Sequence, residues 1–199
     1  MEKEFHSAVK ERRTIIEVGN EISVPIKRIR EIIEESLKYT PTAFNSQSAR
    51  IALLLGEESE KFWEVTKEHI IKNIQRDRLK ENIEKINAFK KGYGTILFFE
   101  DLNIIEYLEQ DYSTYREYFP VWAHQSNGML QFIIWTSLEI EGLGASLQHY
   151  NTFIDRAIKE KWKLPDNWKL IAEMPFGNPI SIPEEKHFQK INERYKEFK

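Results

Sequence analysis

The chain has 199 residues, 41% of them hydrophobic, and we expect a single domain with a sizeable core over residues 1–199. Its 29 Lys and Arg against 32 Asp and Glu give a net charge of −3, which excludes the basic footprint of a nucleic-acid-binding protein. The absence of cysteine excludes disulfides, thiolate catalysis and iron–sulfur clusters. Residues 1–10 lack a signal-like apolar stretch and no apolar run approaches membrane-spanning length, so we expect a cytoplasmic protein without a membrane partner.

Apolar spacing along the chain predicts helices and three short strands. The predicted helices are Glu2–Glu11, Ile26–Leu37, Ser59–Lys91, Asn103–Tyr118, Gly128–Ile140 and Phe153–Lys161. The predicted strands are Ile51–Leu55, Thr95–Phe99 and Trp168–Met174, the last of which ends at Pro175–Pro179. This element order alone does not select one arrangement of the sheet.

Two segments, 59–91 and 182–199, have alternative interpretations. The charge pattern of Ser59–Lys91 breaks near Gln75–Arg78, which predicts either two helices or a kink. We expect residues 59–91 and 103–119 to form a helical cover or lid, with a plain pair of surface helices as the alternative for 59–91. The charged tail, residues 182–199, is expected to be a helix or an arm that lies on a partner.

The segment Gly128–Ile140 is apolar on nearly all sides, so it predicts a helix that is buried all round, partly against a second subunit. Gly142 follows it and predicts a left-handed C-terminal cap. The pair Gly142 and Gly144 also lets backbone approach a flat ligand.

Two polar stretches are candidate ligand contacts. Arg12-Arg13-Thr14 follows the first predicted helix and suits a phosphate monoester, whereas cations that complement the helix dipole are the structural alternative. The stretch Pro41–Arg50 carries three hydroxyls, two carboxamides and an arginine, which suit a flat ligand rich in heteroatoms. A polar connection between helix and strand is the alternative there.

The remaining side chains exclude several kinds of catalytic site. The five histidines are far apart in sequence, so a metal site is not expected. No nucleophile elbow, Walker loop or dinucleotide-binding glycine motif occurs. If the protein is an enzyme, we expect a bound organic cofactor to carry the chemistry.

Five segments together resemble the nitroreductase family of flavin mononucleotide (FMN) enzymes, in the branch of the yeast fatty-acid-repression-mutant protein. They are Arg12–Thr14, Pro41–Gln47, His124–Gln131, Gly142–Tyr150 and Met174–Pro179, and they cover essentially the whole chain in the family's order. The resemblance implies an α+β fold with a mostly antiparallel central sheet, helices on both faces and an intertwined homodimer. It also implies two FMN molecules at the dimer interface, each contacted by both subunits.

The resemblance assigns FMN contacts to Arg12, Arg13, Thr14, Thr42, Asn45, Gln47, Leu143, Gly144 and Lys186. The first three would hold the phosphate and the ribityl chain, and Thr42 and Asn45 would reach the ring edge or the ribityl hydroxyls. The resemblance allows Gln47 to do so from the partner subunit. Leu143 and Gly144 would lie along one flavin face, with the Gly144 N–H aimed at flavin N5, and Lys186 is the candidate basic residue near the phosphate.

An acceptor pocket is expected beside the flavin, lined by Phe44, Tyr112 and Tyr115 from either subunit, with packing alone as the alternative for each. Ser48-Ala49 stands where the family commonly has Pro-Trp, so the wall of this pocket departs from the common pattern.

The implied activity is transfer of hydride from NADH or NADPH through flavin N5 to a nitroaromatic or quinone acceptor by ping-pong exchange, with no catalytic side chain. One alternative is an FMN-binding regulatory or stress-response protein, linked to oxidative stress, with incidental reductase activity. Another is a helical interaction protein without a cofactor.

Overall fold

Residues 4–183 and 185–199 are described by a computed structural model, and this part of the chain contains seven α-helices and five strands. The helices are α1 Phe5–Glu11, α2 Ile26–Tyr39, α3 Glu57–Asn73, α4 Arg76–Phe89, α5 Leu102–Asp111, α6 Phe119–Ile140 and α7 Asn151–Trp162. The strands are β1 Val18–Gly19, β2 Ala49–Leu55, β3 Gly94–Asp101, β4 Gly144–Ala145 and β5 Trp168–Pro179. Short 3₁₀ turns occur at Ala43–Asn45, Ser113–Tyr118 and Ile191–Glu193. The predicted helix positions Glu2 and Lys3 lie outside the described residues.

The strands form one sheet in the order β1-β5-β3-β2, with β4 also paired to β5. All of these strand pairs are antiparallel. The register of β2 on β3 runs from Ala49 opposite Glu100 to Leu55 opposite Gly94. The predicted α+β fold with a mostly antiparallel sheet is therefore confirmed.

Helices cover both faces of the sheet because the side chains of β3 alternate between two cores. Ile96 and Phe98 pack with residues of α2 and α6 on one face. Leu97 and Phe99 pack with residues of α3, α4 and α7 on the other. All four side chains have an exposed fraction of 0%. No helix in the described ranges is both long enough and apolar enough to cross a membrane.

The predicted break in the segment 59–91 is real. Ile74 and Gln75 have extended backbone, which ends α3 and starts α4. Phe62, Trp63 and Ile70 of α3 are fully buried against the sheet. The two helices thus cover the face of the sheet opposite α6.

Three predicted boundaries were wrong. The helix predicted over Asn103–Tyr118 is α5, which ends at Asp111 and is followed by the 3₁₀ turn Ser113–Tyr118. The predicted helix Gly128–Ile140 is the C-terminal part of α6, which begins at Phe119, with Pro120 in the first turn where its missing N–H is tolerated. The strand predicted to end at Met174 continues to Pro179. The carbonyl of Pro175 accepts the Ser146 N–H at 3.2 Å, so the missing N–H of this proline falls on the β4 side and leaves its ladder with β3 intact.

The helix α6 ends in the predicted glycine cap. Gly142 has φ +78°, and its N–H donates to the Glu139 carbonyl at 3.0 Å. The Leu143 N–H donates to the Leu138 carbonyl at 2.9 Å, which completes a Schellman motif.

Within the single chain, α6 is not buried on all sides. One stripe of α6, which we call the α6 face, is exposed and consists of Val121, Gln125, Gly128, Met129 and Phe132. The exposed fractions of Val121, Met129 and Phe132 are 50%, 41% and 37%. An apolar stripe of this length on the longest helix is typical of a contact with another chain.

Gly177 lies on β5 where this strand pairs with β1. A Cβ atom there would lie far inside van der Waals contact of the Gly19 carbonyl oxygen. Glycine at this position of the motif Met174–Pro179 is therefore required by the close approach of two paired strands.

Candidate active site

The first group of predicted site residues assembles where α1 ends. The Arg12 N–H donates to the Ala8 carbonyl at 2.8 Å, and the chain then turns toward the sheet. Thr14 pairs with Ala145 in a parallel bridge, and the Ile15 N–H donates to the Ala145 carbonyl at 3.0 Å. The bridge brings together a set that we call the arginine cluster: Arg12, Arg13, Thr14, Leu143 and Gly144.

The charge of Arg12 is only partly compensated. Its guanidinium carbon lies 4.2 Å from the ring centroid of Trp135, a cation–π contact with α6. The pKa of the Arg12 guanidinium is lowered, mainly by burial. The nearby charge of Glu139 opposes this shift, and that of Arg13 adds to it. The buried Nε atom has no hydrogen-bond partner among the described residues. A desolvated guanidinium with an unused donor fits an anionic ligand such as a phosphate.

Leu143 and Gly144 can contact a ligand through their backbone but not through their side chains. The Leu143 side chain has an exposed fraction of 4% and packs in the core with α6. A Cβ atom on Gly144 would lie 3.1 Å from Ile15 and from Pro179, so the chain's own packing already favours glycine there.

The second group of predicted residues lies in a tight turn over 42–47, which we call the αL turn. Phe44, Asn45 and Gln47 have φ of 54°, 52° and 48°, in the left-handed region that non-glycine residues rarely adopt. The Asn45 N–H donates to the Thr42 carbonyl at 3.0 Å, and the Gln47 N–H donates to Thr42 Oγ1 at 3.2 Å. Strained backbone of this kind is concentrated at functional sites.

The three predicted pocket aromatics come together around the αL turn. The ring centroid of Phe44 lies 4.8 Å from that of Tyr112 and 5.9 Å from that of Tyr115. Phe44 also contacts Phe119 at 5.3 Å and stacks on Trp122 at 5.9 Å with an interplanar angle of 18°. Trp122 was missed, because the sequence pattern did not place it in a helix.

An open cavity of about 340 Å³ lies beside these rings. Its lining residues are Pro41, Thr42, Ala43, Phe44, Trp122, Gln125, Ser126 and Met129. None of these side chains is charged, and Thr42, Gln125 and Ser126 supply the polar groups. A cavity with aromatic walls and a few hydrogen-bonding groups suits a flat, uncharged molecule.

A buried polar network supports α6 behind this cavity. Asn127 Nδ2 donates to Glu100 Oε1 at 2.7 Å, and Gln131 Nε2 donates to Asn127 Oδ1 at 2.6 Å. Burial raises the pKa of the Glu100 carboxyl. The hydrogen bonds from Ser48 and Asn127 reduce this shift but do not reverse it. The network therefore joins α6 to the end of β3 through buried side chains.

Within a single chain, the arginine cluster and the αL turn lie far apart. Arg12 contacts α6 at Trp135, whereas Phe44 contacts it at Trp122. These two tryptophans are 13 residues apart on one helix, which is about 20 Å along its axis. The exposed α6 face runs between the two groups.

Lys186 is not brought to either group. Its side chain is exposed, and its ammonium lies 5.4 Å from the ring centroid of Phe188, within the tail itself. The tail is exposed throughout residues 185–199.

A model of the Nitroreductase family matches residues 9–178. The chain belongs to the nitroreductase family. Two Saccharomyces cerevisiae relatives named as nitroreductases are HBN1, 34% identical over 90% of this chain and 90% of HBN1, and FRM2, 32% identical over 92% of each. FRM2 is the fatty acid repression mutant protein, so the predicted branch is confirmed as well.

Solved nitroreductases have the same fold. Nitroreductase CinD from Lactococcus lactis, in complex with chloramphenicol, superposes with a TM-score of 0.90 at 35% identity and covers 98% of this chain and 100% of its own. A more distant structure from Desulfovibrio desulfuricans, in complex with FMN, has a TM-score of 0.69 at 18% identity, covering 100% of this chain and 98% of its own. This nitroreductase is therefore a flavin-type oxidoreductase.

Proposed function

We propose that this nitroreductase is an FMN-dependent NAD(P)H oxidoreductase that reduces nitroaromatic or quinone-type acceptors by ping-pong exchange. The observation that carries the proposal is the position of its two polar groups at opposite ends of the exposed α6 face. When bound, FMN supplies the hydride chemistry. The chain supplies binding, orientation and exclusion of water.

The residues of the arginine cluster fit FMN. Arg12 offers a desolvated cation with an unused Nε donor, beside the half-exposed Arg13 and the exposed Thr14. A phosphate would compensate this charge with charge-assisted hydrogen bonds. The neighbouring backbone of Leu143 and Gly144 would lie along the flavin ring.

A homodimer would complete the site. If two copies of the α6 face pack antiparallel, the Trp135 end of one helix lies beside the Trp122 end of its partner. Thr42, Asn45 and Gln47 of one protomer would then reach the flavin held by the arginine cluster of the other. Burial of the α6 face would provide the free energy of association.

The tail is proposed to cross to the partner as an arm. Its apolar side chains are exposed in the single chain: Ile182, Phe188, Ile191, Tyr195 and Phe198, with exposed fractions from 60% to 94%. Such side chains are stabilised only when another surface covers them. The same crossing would carry Lys186 toward a flavin phosphate.

The aromatic cavity is proposed to hold the acceptor. Phe44 and Trp122 would stack on a flat ring, and Gln125 and Ser126 would donate to its polar substituents. CinD, which is 35% identical, has been crystallised with the nitroaromatic chloramphenicol. No titrating side chain is required by this arrangement.

The proposal is tested with purified protein loaded with FMN. Under anaerobic conditions, NADH or NADPH should bleach the flavin absorbance, and 4-nitrophenol or a quinone should restore it in a separate step. Double-reciprocal plots at varied donor and acceptor should be parallel. Protein that cannot be loaded with FMN overturns the proposal, and tightly bound flavin reduced far more slowly than turnover requires supports a regulatory flavoprotein instead.

A further inference from the structure

The αL turn is held by one arginine. Arg50, at the start of β2, donates through Nη1 to the Gln47 carbonyl at 2.8 Å and to the Ala49 carbonyl at 3.0 Å. Its Nη2 donates to Asp101 Oδ2 at 3.0 Å. One guanidinium therefore links the last residue of the turn to the end of β3.

Asp101 is itself held in place. Its Oδ1 accepts the Asn103 N–H at 3.2 Å as the N-cap of α5 and also accepts a hydrogen bond from the Asn167 side chain. Its N–H donates to the Ser48 carbonyl at 2.9 Å. The side chains of Arg50 and Asp101 have exposed fractions of 29% and 11%, so this pair is more sheltered than a surface ion pair.

The turn needs such support because its backbone is strained. A left-handed residue other than glycine costs about 1–2 kcal/mol, and three of them lie within four positions. Phe44 is bulky, so the local side-chain hydrogen bonds that ease this conformation for asparagine do not help it. Among residues 4–183 and 185–199, Thr42 Oγ1 and Arg50 Nη1 are the side-chain atoms that bond to the backbone of the turn.

We propose that Arg50 is a positioning residue for the reaction. It holds the αL turn so that Thr42, Asn45 and Gln47 face the flavin and Phe44 stays on the acceptor cavity. This role rests on the proposed function, because it assumes that the αL turn contacts FMN and the acceptor. Asp101 balances the charge of Arg50, so this role does not require a ligand on the guanidinium.

A lysine cannot replace Arg50 in this role. The planar guanidinium serves two carbonyls and one carboxylate in fixed directions, whereas an ammonium is a point donor on a flexible stem. Arg50→Lys therefore keeps the positive charge but loses the planar group that bonds both carbonyls and the carboxylate. Lys90→Met is the matched control, because Lys90 forms a half-buried ion pair with Glu64 far from the turn.

The first test is hydrogen exchange of the flavin-free protein. In Arg50→Lys, amides of residues 41–50 should exchange about tenfold faster than in wild type, and those of α6 should be unchanged. Lys90→Met should leave residues 41–50 unaffected. Thr42→Val removes the other side-chain bond of the turn and should accelerate the same amides, which keeps the test decisive if Arg50→Lys folds poorly.

The second test uses the FMN-loaded enzyme. Arg50→Lys should raise the KM for 4-nitrophenol about tenfold and weaken FMN binding, because Phe44 and the flavin-facing residues move together, whereas kcat at saturating FMN and acceptor should change less than twofold. Wild-type exchange in residues 41–50 together with an unchanged KM would overturn the proposal, as would faster exchange throughout the chain. Because the exchange test needs no flavin, failure of the proposed function is distinguishable from failure of this inference.

Discussion

The backbone N–H of Tyr150 donates to Glu173 Oε2 at 2.8 Å, while Glu173 Oε1 has no hydrogen-bond partner in residues 4–183 and 185–199. Glu173 lies on β5, fully buried, at the N-terminus of α7. Burial raises the pKa of its carboxyl from 4.5 to about 8, against the effect of the bonds from the backbone of Tyr150 and Asn151. At neutral pH this carboxyl is mostly protonated in the folded chain.

Glu173→Gln should stabilise the protein in alkaline solution. Because the folded pKa is raised, the favourable contribution of Glu173 is complete below about pH 4.5 and is lost as pH rises through about 8. Each pKa unit corresponds to about 1.4 kcal/mol. We expect the variant to exceed wild type in free energy of unfolding by a few kcal/mol at pH 9 and by less than about 1 kcal/mol at pH 5.

Urea denaturation at both pH values measures this difference. Glu64→Gln is the control, because the bond from Lys90 lowers the pKa of Glu64 and its removal brings no gain at pH 9. Equal stability of wild type and Glu173→Gln at pH 9 would show that Glu173 is not held protonated by the fold.

Short motifs made part of the site predictable. Arg12–Thr14 and Gly142–Ala145 were selected from local sequence, and the bridge from Thr14 to Ala145 does bring them together. The cap at Gly142 was predictable because the left-handed conformation favours glycine. Such motifs are predictable because a few consecutive residues determine them.

Contacts between distant residues were not predictable from those patterns. Arg50 and Asp101 are 51 positions apart, and they meet because the register of β2 on β3 brings Ser48 beside Asp101. Likewise, Asn127 and Glu100 are 27 positions apart in the sequence and form a buried hydrogen bond in the fold. Sequence periodicity contains neither the strand register nor the partner of a buried polar group.

Phe132→Glu should convert the dimer that we propose into monomers. A carboxylate on the α6 face would be buried without a partner in the interface, which costs several kcal/mol. Sedimentation should show the change in mass, and retention of FMN should fall with it because each flavin would need both subunits. Tyr107→Glu is the control: Tyr107 is 63% exposed and lies on α5 rather than on the α6 face, and its variant should remain dimeric.

The uncharged lining of the aromatic cavity should select neutral acceptors. A carboxylate entering it loses hydration without gaining a cation, so kcat/KM should be roughly tenfold or more higher for 4-nitrobenzyl alcohol than for 4-nitrobenzoate. Gln125→Lys places a cation in the lining and should narrow this ratio. If the ratio is near one in wild type and does not respond to Gln125→Lys, this cavity is not where acceptors bind.

Arg12→Ala should weaken FMN binding far more than it weakens folding. Each charge-assisted hydrogen bond to the phosphate is worth about 1.5–3 kcal/mol, so the Kd for FMN should rise roughly 10- to 100-fold. The free energy of unfolding should fall by about 0.5–1 kcal/mol because the contact with the Trp135 ring is lost. Removal of a partly buried cation should offset some of this loss. Fluorescence titration measures the first effect and urea denaturation of the flavin-free protein measures the second.

Riboflavin provides the internal control for this variant, because it has the same ring without the phosphate. If Arg12 binds the phosphate, Arg12→Ala should leave the riboflavin Kd within about twofold of wild type, and the wild-type preference for FMN over riboflavin should largely disappear. Arg12→Lys, which keeps a point charge, should recover part of that preference. A parallel loss of FMN and riboflavin binding, or a loss of stability as large as the loss of FMN affinity, would instead assign Arg12 to the end of α1 and its packing on α6.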